Sequence, residues 1–459
     1  MGDMANVVDY VRHEFRDFGE LPLSAVDSLA LSELSYTHMP APVSRFEDAK
    51  RVKTVPITAL LRAEDYPNMF ISGSDAMNEA RRDLVVAMAQ SPRFRGMRIG
   101  EYAQTLDEDA EQQFAAVTFD LSDCKGIDAD GGLLFVAFRG TDGTLVGWKE
   151  DFNMAFRCPV PSQEDAAAYV RSIASRSEGF EGHAPRLMIG GHSKGGNMAV
   201  YAAMALAKRD LQSAQEAADE TGETVLPVVQ AKDPAGIASN DTAHAEATGT
   251  AAADESHSKH YVPRLVRVFN HDGPGFGDDV TASPAYMAIA DRIDKTIPES
   301  SIIGLLMDQT GSYRIIHADA LSIMQHLSMS WQVENGDFVT AQELTATAQI
   351  IDHTVTAWML DVEPEERQHL IDEGYGVFQA AGYDTFSDLA ENWTTSVPKI
   401  IMAARKTDDR TKSMLGDILK SLSTTAIKSI GGFDDAVQDA VEPEQNTVEG
   451  GEGADAAGE

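Results

Sequence analysis

Two cysteines, Cys124 and Cys158, are all that the 459-residue chain contains. That is too few for a disulfide scaffold and fits a reducing compartment, with a single bridge between them still open. Basic residues are scarce as well: 37 Lys and Arg stand against 73 Asp and Glu, a net charge of −36. Such a surplus repels phosphate backbones and anionic headgroups, so nucleic acid and acidic membrane surfaces are excluded as default partners. No apolar run reaches the roughly 18 residues a spanning helix needs, and the N-terminus lacks a basic region followed by an apolar one. A soluble, cytoplasmic protein without stable membrane insertion is expected. Its 43% hydrophobic content is ample for a core.

The stretch that organises the chain is Arg186 to Ala203. Leu187, Met188 and Ile189 read as a buried strand, whereas Met198, Tyr201, Ala202 and Leu206 recur at helical spacing, so the chain must reverse within Gly190 to Gly196. Gly191-His192-Ser193-Lys194-Gly195 thus sits at a strand-to-helix corner, where glycines relieve crowding and unusual backbone angles. Ser193 is the candidate nucleophile. The helix after it points its positive end at any negative charge developing beside the hydroxyl.

Around this corner the chain divides into regions. Residues 1 to 96 read as a helical N-terminal region packing on a core: two helices flank a Gly19 to Pro22 turn, and another begins near Ser74 and stops at Ser91-Pro92. Residues 97 to 340 form the core. Ala115 to Phe119 and Leu133 to Phe138 are strands of a hairpin, the second apolar on both faces and so central in a covered sheet. A helix follows over Gln163 to Arg176, and the composition of 212 to 257 reads as a flexible insertion. Arg264 to Phe269 resumes the sheet, Pro284 to Ile293 reads as helix, Ser301 to Met307 as a strand ending at Asp308, and Tyr313 to Ile316 as a short strand. Residues 341 to 431 are helical in pattern. The rest, 432 to 459, includes nine acidic and no basic residues from Asp434 onward and reads as a disordered tail.

Strands alternating with helices imply an α/β fold, a mainly parallel sheet flanked by helices with helical N-terminal and C-terminal additions. Function in such a sheet gathers at the carboxyl ends of the strands. Ser193, Thr141, Asp272, Asp308 and His326 all follow expected strands. A serine hydroxyl needs a histidine to take its proton, and the histidine needs a carboxylate to fix its tautomer. The order Ser193, Asp308, His326 is that of an α/β-hydrolase triad. Asp308 is favoured as the acid because it ends the second strand after the serine helix, with Asp272, one strand earlier, bracing a loop or binding substrate. His317 ranks behind His326 as the base, since it abuts a strand end with little loop to reach across. No metal or cofactor is expected.

Phe138-Arg-Gly-Thr141 with Gly191 to Asn197 resembles the paired signatures of class 3 lipases. The wider pattern resembles a family of uncharacterised bacterial lipase-like proteins, first described as a domain of unknown function. Val26 to Tyr36, His271 to Phe276, Pro298 to Gly304 and Gln325-His326 with Trp331 carry that likeness, over roughly residues 5 to 340. Lys194 departs from the leucine usual in class 3 lipases. The resemblance implies a serine acyl hydrolase with a small-molecule or lipid ester as substrate, and backbone N–H groups of Thr141 and Lys194 as the oxyanion hole, each donor worth about 3 kcal/mol. The Lys194 ammonium is expected either to assist the oxyanion or to point outward to an acid. The competing expectation is a catalytically silent hydrolase-fold protein serving as an interaction module.

Overall fold

Two capping boxes start the chain. Asn6 accepts from the N–H groups of Val8 and Asp9 while Asp9 accepts from Asn6 N–H, opening α1 (Val7–His13); Ser24 and Asp27 do the same for α2 (Ala25–Leu34). A computed structural model describes residues 5–349 except 49–51, 73, 128–130, 143–144, 155–156, 178–183, 222–263, 309, 321 and 347. Beyond these it describes 368–369, 372–373, 375–377 and 402. The acidic tail, nearly all of 341–431 after residue 349, and most of the 212–257 insertion therefore lie outside the described residues.

In chain order the elements that matter are β1 (Val55–Pro56), α3 (Tyr66–Met69), α4 (Asp75–Gln90), β2 (Arg98–Asp107), β3 (Gln112–Asp120) and β4 (Leu133–Phe138). They are followed by α5 (Leu145–Asn153), α6 (Pro161–Arg176), β5 (Arg186–His192), α7 (Lys194–Thr221) and β6 (Leu265–His271). After these come two short helices, α8 (Asp278–Thr281) and α9 (Pro284–Met287), then β7 (Ile293–Pro298) and β8 (Arg314–Ile316). The eight strands lie side by side in sequence order, antiparallel from β1 to β4 and parallel from β4 to β8. This is an α/β-hydrolase-like sheet with helices on both faces. The carboxyl ends of β4 to β8 share one edge, and the candidate residues gather there.

Alternation along β4 decides what covers each face. Leu133, Phe135 and Ala137 pack with α1, α2 and α4 through Val11, Leu29, Leu31 and Leu84; Leu134, Val136 and Phe138 pack with α6 and α7 through Tyr169, Ile173, Met198 and Ala202. All six side chains are buried, so the strand is apolar throughout. Every residue of α2 is buried too, including Asp27, Ser28 and Glu33, and a buried charge requires a partner. Arg93 supplies one for Asp27 at 2.6 and 2.8 Å, and Tyr10 Oη donates to the same carboxylate at 2.8 Å. Val333 N–H donates to Ala5 C=O at 2.8 Å, so the first described residues meet the segment that follows His326.

Three expected elements differ. Ser301 to Met307 holds a 3-10 turn, Ile303–Leu305, and the strand is instead Ile293–Pro298. The displaced reading has a physical origin: β7 carries Asp294 and Lys295, whose charges are paired with Arg267 and Asp308, and so it does not look like a buried strand. Pro284 to Ile293 is a four-residue helix and a 3-10 turn, Ala290–Arg292, with Ile293 already in β7. Finally, α7 continues to Thr221, into the stretch assigned to the insertion, because Gln212 to Thr221 is rich in the helix formers Ala, Glu and Gln. β2 had no counterpart in the sequence reading. Its polar residues, among them Glu101 paired with Arg176 at 2.5 Å, hide the strand pattern.

Candidate active site

Ser193 occupies the corner between β5 and α7 with φ +60°, a backbone region that a residue with a Cβ tolerates only where surroundings hold it. They do so here: Ser193 N–H donates to His271 C=O at 2.9 Å. A Cβ on Gly191 would lie 2.2 Å from the Gly195 backbone, and one on Gly195 would lie 2.2 Å from Phe138 C=O. The two glycines thus let the helix start against its own strand and against the end of β4.

The Ser193 hydroxyl lies 2.9 Å from His326 Nε2, and His326 Nδ1 lies 2.6 Å from Asp272 Oδ2. A carboxylate only accepts, so Nδ1–H donates to Asp272 and Nε2 is left to accept the Ser193 proton. Asp272 is fully buried, directly after β6, with φ +51°; its other oxygen accepts from Ser301 Oγ at 2.5 Å. Both carboxylate oxygens are therefore occupied.

Asp308, expected as the acid, does not touch His326. Its Oδ2 pairs with Lys295 Nζ at 2.5 Å and its Oδ1 accepts from Thr310 and Gly311. Burial alone would raise its pKa, but the charge and hydrogen bond of Lys295, helped by Thr310, hold it below the usual carboxylate range. Lys295 is lowered in turn, chiefly by burial. The reason for the correction is the displaced strand: with β7 at Ile293–Pro298, Asp308 lies in the loop beyond it rather than at a strand end. His317 sits after β8, its Nδ1 3.0 Å from Glu299, with no contact to Ser193.

Thr141 follows β4 and its hydroxyl donates to Asp151 Oδ2 at 2.5 Å. Lys194 pairs with an acid, as one of the two expectations had it, but inward rather than outward. Its ammonium is buried, donating to Gln113 C=O at 2.9 Å and Glu150 Oε2 at 3.1 Å, with Asp151 Oδ1 at 3.8 Å. Glu150 also accepts from the N–H groups of Gln113 and Ser162. Lys194 therefore anchors α5 to the corner. Burial pushes Asp151 up to about 6, against the pull of Lys194 and Thr141.

His192, Ser301, Tyr36 and Glu33 were not singled out from sequence, although each lies in a stretch that carried the lipase-like resemblance. His192 is buried, which drives its pKa down to about 3, so its ring is neutral. Its Nε2 lies 2.8 Å from His326 C=O and its Nδ1 3.3 Å from Tyr36 Oη. Glu33 accepts from Arg81 at 3.0 Å and from Ser328 Oγ at 2.5 Å, two residues past His326. Trp331 Nε1 donates to Gln325 C=O at 2.8 Å. Among the described residues no cluster of His, Cys, Asp and Glu is arranged to hold a metal ion, and no helix is long and apolar enough to cross a membrane.

A family model described as Mbeg1-like matches residues 88–376. No curated protein is detectably similar in sequence. Among solved structures the chain is similar to one described as the crystal structure of M37 lipase, at 11% identity and a TM-score of 0.30, over 74% of this chain and 80% of that one. A superposition so loose adds nothing to the site geometry. The family match covers more than half of the 459 residues and takes in Ser193, Asp272 and His326; the chain belongs to the Mbeg1-like family.

Proposed function

We propose that the chain is a serine acyl hydrolase, esterase-like or lipase-like, working through an acyl-enzyme. The observation that carries this reading is the unbroken hydrogen-bond chain from Ser193 Oγ to His326 at 2.9 Å and from His326 to Asp272 at 2.6 Å. His326 Nε2 takes the Ser193 proton as Oγ attacks the ester carbonyl, and Asp272 stabilises the imidazolium that forms. The imidazolium returns that proton to the departing alcohol, leaving an acyl-serine. A water, deprotonated by His326, then releases the acid. The oxyanion falls to the backbone N–H groups of Thr141 and Lys194, the latter among the helix-start donors that have no partner within α7.

The substrate is a small-molecule or lipid ester. The setting is cytoplasmic, in keeping with Cys124 and Cys158 both being free thiols. A fluorophosphonate should label the native protein at Ser193 and leave Ser193→Ala unlabelled, with turnover on a short-chain ester panel. A folded wild-type protein inert to both probe and panel would sink the proposal in favour of a silent interaction module.

A further inference from the structure

Tyr36 comes from the end of α2, outside the family-matched span, yet its hydroxyl reaches both halves of the catalytic edge. A Cβ on Gly140 would lie 2.4 Å from Tyr36 Oη, 2.6 Å from His192 C=O and 2.9 Å from Ser193 Cβ. The phenol, the residue before the nucleophile and the nucleophile itself therefore crowd around Gly140, in the loop that leads to Thr141. The phenol is buried, with the Arg81 guanidinium 4.1 Å from its ring centroid.

The direction of each hydrogen bond is set by chemistry. His326 C=O only accepts, so His192 Nε2 carries the proton that meets it at 2.8 Å. In a neutral ring the other nitrogen must then accept, and Tyr36 Oη–H is the donor facing it at 3.3 Å. The His192 ring also lies against that of His326, centroids 4.7 Å apart. We infer that His192 and Tyr36 are positioning residues for the triad: the Tyr36 hydroxyl holds His192 in its Nε2–H tautomer, and His192 pins the His326 backbone so that Nε2 stays in reach of Ser193. The inference rests on Ser193, His326 and Asp272 acting as a working triad.

Neither residue touches substrate in this scheme, so loss should appear in kcat more than in KM. A misplacement of about 1 Å at a reacting group can cost on the order of a hundredfold. His192→Phe keeps a ring against His326 but removes both nitrogens. It should lower kcat and the fluorophosphonate labelling rate by roughly 30- to 100-fold with KM within about twofold. His192→Gln, which restores a side-chain donor, should recover about fivefold or more of that loss, and Tyr36→Phe, which removes one oxygen, should cost about three- to tenfold. A second readout needs no turnover: the far-downfield proton NMR signal of His326 Nδ1–H bound to Asp272. It should be present in wild type and broadened or lost in His192→Phe.

A folded His192→Phe with the wild-type signal and labelling rate would overturn the inference. Should that variant fail to fold, Tyr36→Phe decides: unchanged kcat and signal would overturn it equally. A wild type that shows the signal but neither labels nor hydrolyses would sink the hydrolase reading alone. Loss of the signal in His192→Phe would then still show that His192 holds His326 against Asp272.

Discussion

Replacing Asp272 by Asn removes a charge and almost no volume, and so isolates the electrostatic role of the acid. In the native site one carboxylate oxygen accepts from His326 at 2.6 Å and the other from Ser301 at 2.5 Å. An amide offers only one acceptor. If its NH2 faces His326, the imidazole is driven to the wrong tautomer, with Nε2–H directed at Ser193; if its NH2 faces Ser301, the imidazolium loses its counter-charge. Two unit charges about 4 Å apart at an effective dielectric of about 20 attract by roughly 4 kcal/mol, which corresponds to a factor of about a thousand in rate. Asp272→Asn should therefore lower kcat by 10³- to 10⁴-fold, in line with loss of the acid from other triads.

Asp308→Asn should do something different. It strips the counter-ion from buried Lys295, which keeps Gly304 C=O at 2.6 Å, so folding should weaken by about 3 kcal/mol while each folded molecule stays active. Hydrolysis of a p-nitrophenyl ester, normalised by fluorophosphonate titration, measures the first effect. Urea unfolding measures the second. Near-native turnover in Asp272→Asn, or collapse of kcat in an Asp308→Asn protein of unchanged stability, would refute this division of labour.

Lys194→Met should destabilise by about 3 kcal/mol because Glu150 is left buried without its cation, and adding Glu150→Gln should restore part of this in urea melts. Stability should fall as pH drops from about 6.5: His192 (pushed to about 3) and His271, both lowered chiefly by burial, bind protons more readily in the unfolded chain. Asp151, raised to about 6, gives the opposite slope between the ordinary Asp value and pH 6, but over fewer units than His192. Thermal midpoints flat from pH 4 to 7 would contradict the histidine assignment. A thiol reagent should modify exposed Cys158 in the native protein, slowly because partial desolvation of its sulfur, with the nearby Asp279 charge, pushes its pKa up to about 11. Buried Cys124, pushed up to about 12, should react only after unfolding, and simultaneous native modification of both would count against the core packing.

The parts legible from sequence were those whose signals are local. Leu133 to Phe138 is apolar on both faces because both faces are covered, and the glycines around Ser193 mark a corner whatever lies beyond it. What escaped depends on pairing across long separations. Lys295 and Asp294 make a buried strand look exposed, and the apolar Ile302 to Met307 offers a substitute, so the sequence points to Asp308 although the carboxylate that meets His326 is Asp272, one strand earlier. Tyr36 and Glu33 look like the polar end of a surface helix. Nothing in their spacing shows that Glu33 meets Ser328 or that Tyr36 meets His192.

The contact between Ala5 and Val333, together with that between Glu33 and Ser328, bears on how the molecule is made. A chain emerging from the ribosome presents Glu33 and Tyr36 long before Ser328 and His192, the hydrogen-bond partners that lie 295 and 156 residues further on. Loop closure over such a span is slow compared with local helix formation. Truncation before the His326 segment should leave the interior face of α2 open to aggregation or chaperone capture.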